Sequence, residues 1–319
     1  MKDMASETRS LEWHAPGSLP QLTRHCLVPA ATLSGPSVPD ATLWHPQHLE
    51  AALLFLLLAC APDITVGPAG RATPVISPRD WDGEEALPVV FLLHGLGANA
   101  GRQDWYMGFS DRVDDYRFHL LLPEGLARAQ DGKQSWDAGD HCCNLLDEVD
   151  DVGFLLGLHD ELVADFGAEE RAVYFGHSNG HFMSYRMACE APERIRAIGG
   201  LAGSVPWDPA ACASGAPVNS LHLHGTNDRA VPYDGAVGEH PSAPDAVARW
   251  AERAGCTGSR SGAARNLTRG SGQETRTERH TGCSHRVELW TMDNTAHSPW
   301  LHGPRFSDAV LGWLLEGVE

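Results

Sequence analysis

Arg171–Cys189 reads RAVYFGHSNGHFMSYRMAC. An apolar run, Ala172 to Phe175, stops at Gly176. Ser178 follows between Gly176 and Gly180, and a proline-free stretch that suits a helix runs on towards Pro192. The spacing predicts a strand, a tight turn carrying a serine, and a helix. GHSNG fits G-x-S-x-G, a pattern too short to carry weight alone. Between a strand and a helix it gains meaning. The turn holds the hydroxyl above the sheet edge, and the glycines stand where side chains would collide with the neighbouring strand and helix. The first helical turn also offers unpaired N–H groups and a positive dipole end to a developing oxyanion. The plain alternative is a serine that merely caps a helix.

The same alternation continues outward. ALPVVFLLHG (86–95), FHLLLPEG (118–125), IRAIGGLAG (195–203), VNSLHLHG (218–225) and HRVELWTM (285–292) read as strands. VGFLLGLHDELVADFG (152–167), APDAVARWAERAG (243–255) and PRFSDAVLGWLLEGV (304–318) have helical spacing. Strands that are apolar almost throughout, alternating with helices, imply an α/β fold with a mostly parallel sheet covered on both faces.

A serine hydroxyl is a weak nucleophile and needs a base, which in turn needs an orienting acid. On this kind of sheet the acid and then the base follow the serine in the chain. Asp228 leaves a strand in LHLHGTNDRAVPYDG, with Asp234 as fallback on the same loop. Its alternative reading is a turn-forming or surface carboxylate. Five histidines follow Asp228, and His297 in TMDNTAHSPW sits between the strand ending at Met292 and the closing helix, where the base belongs. His302 is the fallback. The N–H groups of Leu96, in LLHGLGANAG, and of Asn179 are candidates for an oxyanion hole. Trp136 and Trp300 lie beside these motif loops, as an aromatic wall for an acyl or aryl group or as core residues.

A metal reading has two starting points. His222 and His224 stand two apart on one strand, and Asp140-His141-Cys142-Cys143 could supply ligands. Neither has a third ligand at a known spacing, so buried, hydrogen-bonded histidines and disulfide cysteines fit better. The chemistry above requires no metal and no organic cofactor.

The 319 residues carry 24 Lys+Arg against 42 Asp+Glu, a formal charge of −18. This field repels phosphates, so nucleic acid and anionic membranes are poor partners. Eight cysteines without a CxxC spacing suit disulfides in an oxidising compartment. The best local pair, Cys256–Cys283, would close a Gly/Ser/Arg/Thr-rich excursion unable to pack a core of its own. Asn266-Leu267-Thr268 fits a glycosylation acceptor, a pattern common by chance. Residues 1–42 read as an irregular leader. Residues 43–61 contain a short apolar run ending Leu57-Leu58-Ala59-Cys60, like a secretory signal with a lipobox. The run lies far into the chain with no Lys or Arg just before it, which a start codon assigned too far upstream would explain. The other reading is a buried helix. Residues 62–319 form the expected catalytic domain.

The runs SWDAGDHCC, VDDVGFL, GHSNGHFMSYRMAC, HGTNDRAVPYDG and TMDNTAHSPW resemble, in this order, those of the polyhydroxybutyrate-depolymerase-like esterases, which include feruloyl-esterase-type enzymes. The resemblance spans about residues 62 to 319. It implies an α/β-hydrolase fold, secretion, and Ser178, Asp228 and His297 as nucleophile, acid and base. It further implies that one of Cys142 or Cys143 pairs with Cys189, and the other is then assigned to Cys212. One departure is His181, where the family carries a small residue. Its imidazole must find room under the sheet or enter the cleft, where it would contact substrate.

The resulting expectation is a secreted serine hydrolase of carboxylic esters, periplasmic or anchored to a bacterial envelope through Cys60. Candidate substrates are hydroxyalkanoate oligomers, feruloylated or acetylated sugars, and related polyesters. A peptidase or thioesterase on the same fold, or a surface-binding lipoprotein with a dead site, are the competing readings.

Overall fold

A computed structural model of the protein describes residues 64–139, 142, 149–212, 215–270, 272 and 274–315. The leader, the signal-like segment with Cys60, and Asp140, His141 and Cys143 lie outside the described residues.

In chain order the strands are β1 (Ile64–Val66), β2 (Thr73–Ile76), β3 (Val89–Leu93), β4 (His119–Leu121), β5 (Leu126–Ala127), β6 (Gln134–Ser135), β7 (Ala172–His177), β8 (Ile195–Leu201), β9 (Asn219–Gly225), β10 (Gly258–Ser261), β11 (Thr275–Thr281) and β12 (Val287–Met292). The main helices are α1 (Ala100–Met107), α2 (Asp151–Phe166), α3 (Asn179–Glu190), α4 (Ala243–Arg253) and α5 (Gly303–Leu315). Ten strands join one sheet in the order β1-β2-β4-β3-β7-β8-β9-β12-β11-β10, and β5 and β6 form a separate ribbon. The six central strands, β4 to β12, run parallel, and antiparallel strands extend both edges.

The apolar runs are continuous because both faces are covered. Val89, Phe91, Leu93 and Tyr174 pack with Leu155, Leu158 and Leu162 of α2, Met183 of α3 and Trp250 of α4. The alternate residues Val90, Leu92, Val173 and Phe175 pack on the other face with Met107 of α1 and Phe306, Val310 and Leu314 of α5. Period-two alternation thus divides one strand between two cores.

The Cys256–Cys283 disulfide is present, with Cα atoms 4.0 Å apart. The segment it closes is less irregular than its composition suggests. β10 and β11 pair antiparallel and lengthen the sheet, with Thr275 and Thr277 turned inward. The expected pairing of Cys142 or Cys143 with Cys189 and Cys212 is corrected. Cys189, near the end of α3, bonds Cys212 across 5.1 Å between Cα atoms, because the chain returns from β8 over that helix end. Cys142 is itself disulfide-bonded. Folding also gathers charge that no run of sequence contains. Arg171, Arg260, Arg279 and Arg286 line one cavity of about 510 Å³ at the β10–β11 edge.

Candidate active site

Ser178 occupies the one-residue turn between β7 and α3, with φ 53° and ψ −120°. A positive φ is costly for a residue with a Cβ, and here the surroundings enforce it. The Ser178 N–H donates to Leu201 O at 2.9 Å, tying the turn to β8, and Ser178 O accepts from the His181 and Phe182 N–H groups. Both flanking glycines are sterically required. A Cβ on Gly176 would overlap the backbone of Gly180, and one on Gly180 would overlap the carbonyls of Leu93 and His94. Strand, serine and helix are packed backbone to backbone, which leaves the Ser178 side chain outside the crowded turn.

Asp228 and His297 come from the loops after β9 and β12, which are neighbours in the sheet. Asn227 N–H donates to Thr295 O at 2.9 Å, and Asn294 N–H to Thr226 Oγ1 at 2.8 Å, so the two loops are stitched together. His297 Nδ1 lies 2.7 Å from Asp228 Oδ2. The ionised carboxylate can only accept, so Nδ1 carries the proton and Nε2 presents a lone pair. The Ala230 and Val231 N–H groups also donate to Asp228, at 2.8 and 2.9 Å. Burial alone would raise this carboxyl's pKa. The hydrogen bonds from His224, His297 and Val231 outweigh it and hold the group well below the usual carboxylate range.

Ser178 and His297 face one cavity of about 350 Å³. Its walls are the Gly95–Ala98 loop, Arg102, Trp105 and Tyr106 of α1, His177 and Ser298. His177, the residue before the serine, donates from Nε2 to His297 O at 3.0 Å, and its ring lies between those of Tyr106 and His297. Tyr106 donates its hydroxyl proton to Pro299 O at 2.8 Å. The loop bearing His297 is therefore held from both β7 and α1.

Leu96 lines the cavity, and no acceptor among the described residues takes the N–H of Leu96 or of Asn179. The loop before α1 is fixed by His94. Its Nδ1–H donates to Gly95 O at 2.9 Å and its Nε2 accepts from Gly125 N–H at 2.9 Å. Asn179 is buried, and its side chain forms a two-way bridge to the backbone of Trp136, at 2.7 and 3.1 Å.

Three sequence expectations are corrected. Trp136 is 0% exposed, its Nε1–H donating to His94 O at 3.0 Å, so it supports the loop from behind and forms no wall. His181 is also 0% exposed and does not enter the cleft. Its Nδ1 accepts from Gly203 N–H at 3.0 Å, and its ring stacks on Tyr185 in space left free by Gly200 and Gly203. Trp300 stands 74% exposed beside Arg269 and is not part of the cavity lining. The fallbacks Asp234 and His302 do not line it either. The aromatic wall is instead Trp105, 84% exposed, with Tyr106. The signal for it was legible: Asn99 caps α1 through Arg102 N–H at 2.8 Å, and Gly108 ends the helix at φ 69°.

Among the described residues, no group of three or more ligating side chains gathers around His222 and His224. His222 Nδ1 faces the Tyr185 hydroxyl at 2.9 Å, His222 Nε2 faces His224 Nδ1 at 3.0 Å, and His224 Nε2 faces Val231 O at 2.8 Å. Every ring nitrogen of the pair is engaged, so none is left to bind a cation.

Buried neutral histidines make stability pH-dependent. Burial lowers the pKa of His177, and also of His119, from 6.5 to about 4. Between those values the unfolded chain takes up protons that the folded chain refuses. Stability is intact above pH 6.5 and falls on acidification, by about 1.4 kcal/mol per pH unit for each such group. The urea midpoint should therefore drop between pH 7 and pH 5, and a flat or rising midpoint would contradict this assignment.

No family model matches the chain. It is 28% identical over 177 residues to "Probable feruloyl esterase C" of Aspergillus niger, covering 53% of this chain and 58% of that one. It is 29% identical over 233 residues to "Feruloyl esterase C" of Emericella nidulans, covering 70% and 75%. NocK of Nocardia uniformis subsp. tsuyamanensis, whose name carries the word esterase, is 29% identical over 171 residues, 50% of this chain and 48% of that one. The chain thus spans about half the length of NocK and of the A. niger protein. Among solved structures, the acetyl xylan esterase of Aspergillus awamori superposes with a TM-score of 0.56 at 14% identity, covering 78% of this chain and 98% of that one. An S-formylglutathione hydrolase of Agrobacterium tumefaciens gives 0.53 at 16%, covering 81% and 95%. The chain has an α/β-hydrolase fold, and in sequence it is similar, at under 30% identity, to proteins named feruloyl esterase C.

Proposed function

We propose that the chain is a serine esterase acting on carboxylic esters, with Ser178 as nucleophile, His297 as base and Asp228 as the orienting acid. The observation that carries this reading is the 2.7 Å contact of His297 Nδ1 with Asp228, on the cavity that Ser178 faces from its strained turn. His297 Nε2 takes the hydroxyl proton as Ser178 Oγ attacks the ester carbonyl. The N–H groups of Leu96 and Asn179, which no acceptor among the described residues takes, receive the oxyanion. The alcohol leaves with the proton from His297, and water then repeats the sequence on the acyl-enzyme. The reaction draws on no cofactor.

The substrate class follows from the cavity wall and from the relatives' names. Trp105 and Tyr106 offer an aromatic face on α1, suited to a phenolic acyl group such as ferulate. Acetylated sugars and hydroxyalkanoate oligomers belong to the same reading as secondary substrates. Disulfide bonding at Cys142, Cys189, Cys212, Cys256 and Cys283 supports an exported enzyme. An anchor at Cys60 remains part of the proposal. Parallel assays with methyl ferulate, an acetylated xylan oligosaccharide and a hydroxybutyrate dimer test it. Methyl ferulate should be turned over best, and Trp105→Ala should raise its KM by about threefold to tenfold while leaving the acetyl sugar unchanged. A folded, disulfide-intact protein that hydrolyses none of the three would end the esterase reading.

A further inference from the structure

Behind Asp228, away from the cavity, lies a file of buried polar side chains that the reaction as written does not use. His224 Nε2 is 2.8 Å from Val231 O and 3.3 Å from Asp228 Oδ2. Both neighbours can only accept, so His224 Nε2 carries a proton. His224 Nδ1 is then the bare nitrogen of a neutral ring, and it faces His222 Nε2 at 3.0 Å. His222 must in turn donate from Nε2 and keep Nδ1 bare, which leaves the Tyr185 hydroxyl, 2.9 Å away, to donate. One choice at the acid end fixes every proton in the file.

We propose that Tyr185, His222 and His224 form a positioning chain for the acid, in which His224 donates a second side-chain hydrogen bond to Asp228 and the other two lock it in the donating tautomer. This deepens the esterase reading and rests on it. Two side-chain donors then converge on Asp228 Oδ2, His297 from the cavity and His224 from the core, while the Ala230 and Val231 N–H groups hold Oδ1. The carboxylate cannot rotate away when the proton moves to His297, and its charge is shared between two imidazoles. A chain of aligned donors also polarises its members in the same sense.

The file is packed among other rings. The His181 ring lies tilted at 4.8 Å from that of His222, and Tyr233 meets the His224 ring edge-on at 5.6 Å. His240, before α4, and His177 and His297, on the cavity side, are the other titratable groups that face it. Burial drives the pKa of His222 well below its ordinary value. Tyr185 is held in its protonated form, mainly by burial, with the Ser220 hydroxyl beside it.

The test combines nitrogen-resolved NMR of ¹⁵N-histidine protein with the pH profiles of two variants. In the wild type, both His222 and His224 should appear as the Nε2–H tautomer at pH 7. A proton on Nδ1 of either ring would overturn the proposal. His224→Leu should lower kcat by about 10- to 100-fold with KM within about twofold. It should also move the acid limb of kcat/KM upward by about half a pH unit, because a carboxylate short of one donor holds the imidazolium proton more tightly. His224→Gln, which keeps an N–H donor, should recover part of kcat. Tyr185→Phe removes a single oxygen and should move both quantities the same way, by less. If His224→Leu does not fold, the Tyr185→Phe profile and the tautomers decide. Folded variants with wild-type kcat and an unmoved limb would reduce the file to core packing. That outcome is distinct from failure of the esterase reading itself, which would show as hydrolysis surviving Ser178→Ala.

Discussion

Ser178→Ala should lower kcat for methyl ferulate or a p-nitrophenyl ester by about 10⁴-fold or more, with KM nearly unchanged. The reasoning is local. The hydroxyl is the atom that forms the acyl-enzyme, and alanine has nothing to replace it. The fold should not notice the change, because the turn is held by backbone contacts: Ser178 N–H to Leu201 O, and Ser178 O from the N–H groups of His181 and Phe182. Alanine keeps the Cβ and therefore the same strain at φ 53°. With the strain unchanged, the melting temperature should stay within about 2–3 °C of wild type. A stable variant that retains activity within tenfold would remove Ser178 from the mechanism.

Gly203→Ala should destabilise the protein by about 3 kcal/mol, and His181→Gly, which removes the Cβ as well as the ring, should abolish most of that cost. An added Cβ at residue 203 would come within 2.6 Å of His181 Cβ and 2.8 Å of its Cγ. These atoms lie at the root of the side chain and cannot swing aside. The three nearest atoms to that Cβ all belong to His181, so the two residues form a closed pair for a double-mutant cycle. His181→Gly alone is itself costly, the more so because it places a glycine in the first turn of α3. It empties space beneath the sheet and removes the acceptor of the Gly203 N–H. In that background the extra methyl of Gly203→Ala has room, and its added cost should approach zero. Urea unfolding of the four proteins measures the coupling. An equal cost for Gly203→Ala with and without His181 would show that the ring does not lie against that glycine.

The cycle also shows why part of the site was legible in the sequence and part was not. The elbow was readable because its requirements are chemical and local: a serine, two glycines that backbone contact demands, an apolar strand before and a helix after. The loops carrying Asp228 and His297 could be placed because VNSLHLHG and HRVELWTM, which form β9 and β12, read as strands, and the order nucleophile, acid, base puts the two residues just after them. The direction of a side chain is a different matter. Whether His181 enters the cleft or the core depends on Gly200 and Gly203, some twenty residues away in the chain and against it in space. Trp136 was placed near the right loop but on its buried side, because its neighbours His94 and Asn179 come from other elements.

The edge of the sheet escaped for another reason. TRTERHT in β11, next to the edge strand β10, is polar at most positions, since a strand with one solvated face has little to bury. Such a strand leaves no apolar signature, and its composition resembles that of a loop. The Cys189–Cys212 bond depends on how the chain returns from β8 over the end of α3, which no spacing rule encodes. His222 and His224 were seen as a pair on one strand face. The Tyr185 that completes their file is contributed by α3, across the sheet face.

The most direct test of the account is covalent labelling of the wild-type protein with a fluorophosphonate, followed by peptide mapping by mass spectrometry. The account predicts one phosphonyl group per chain, on Ser178, with labelling lost in Ser178→Ala and strongly slowed in His297→Ala. A label on a different residue, or none on a folded, disulfide-intact protein, would contradict the claim that the serine between the two glycines is an activated nucleophile.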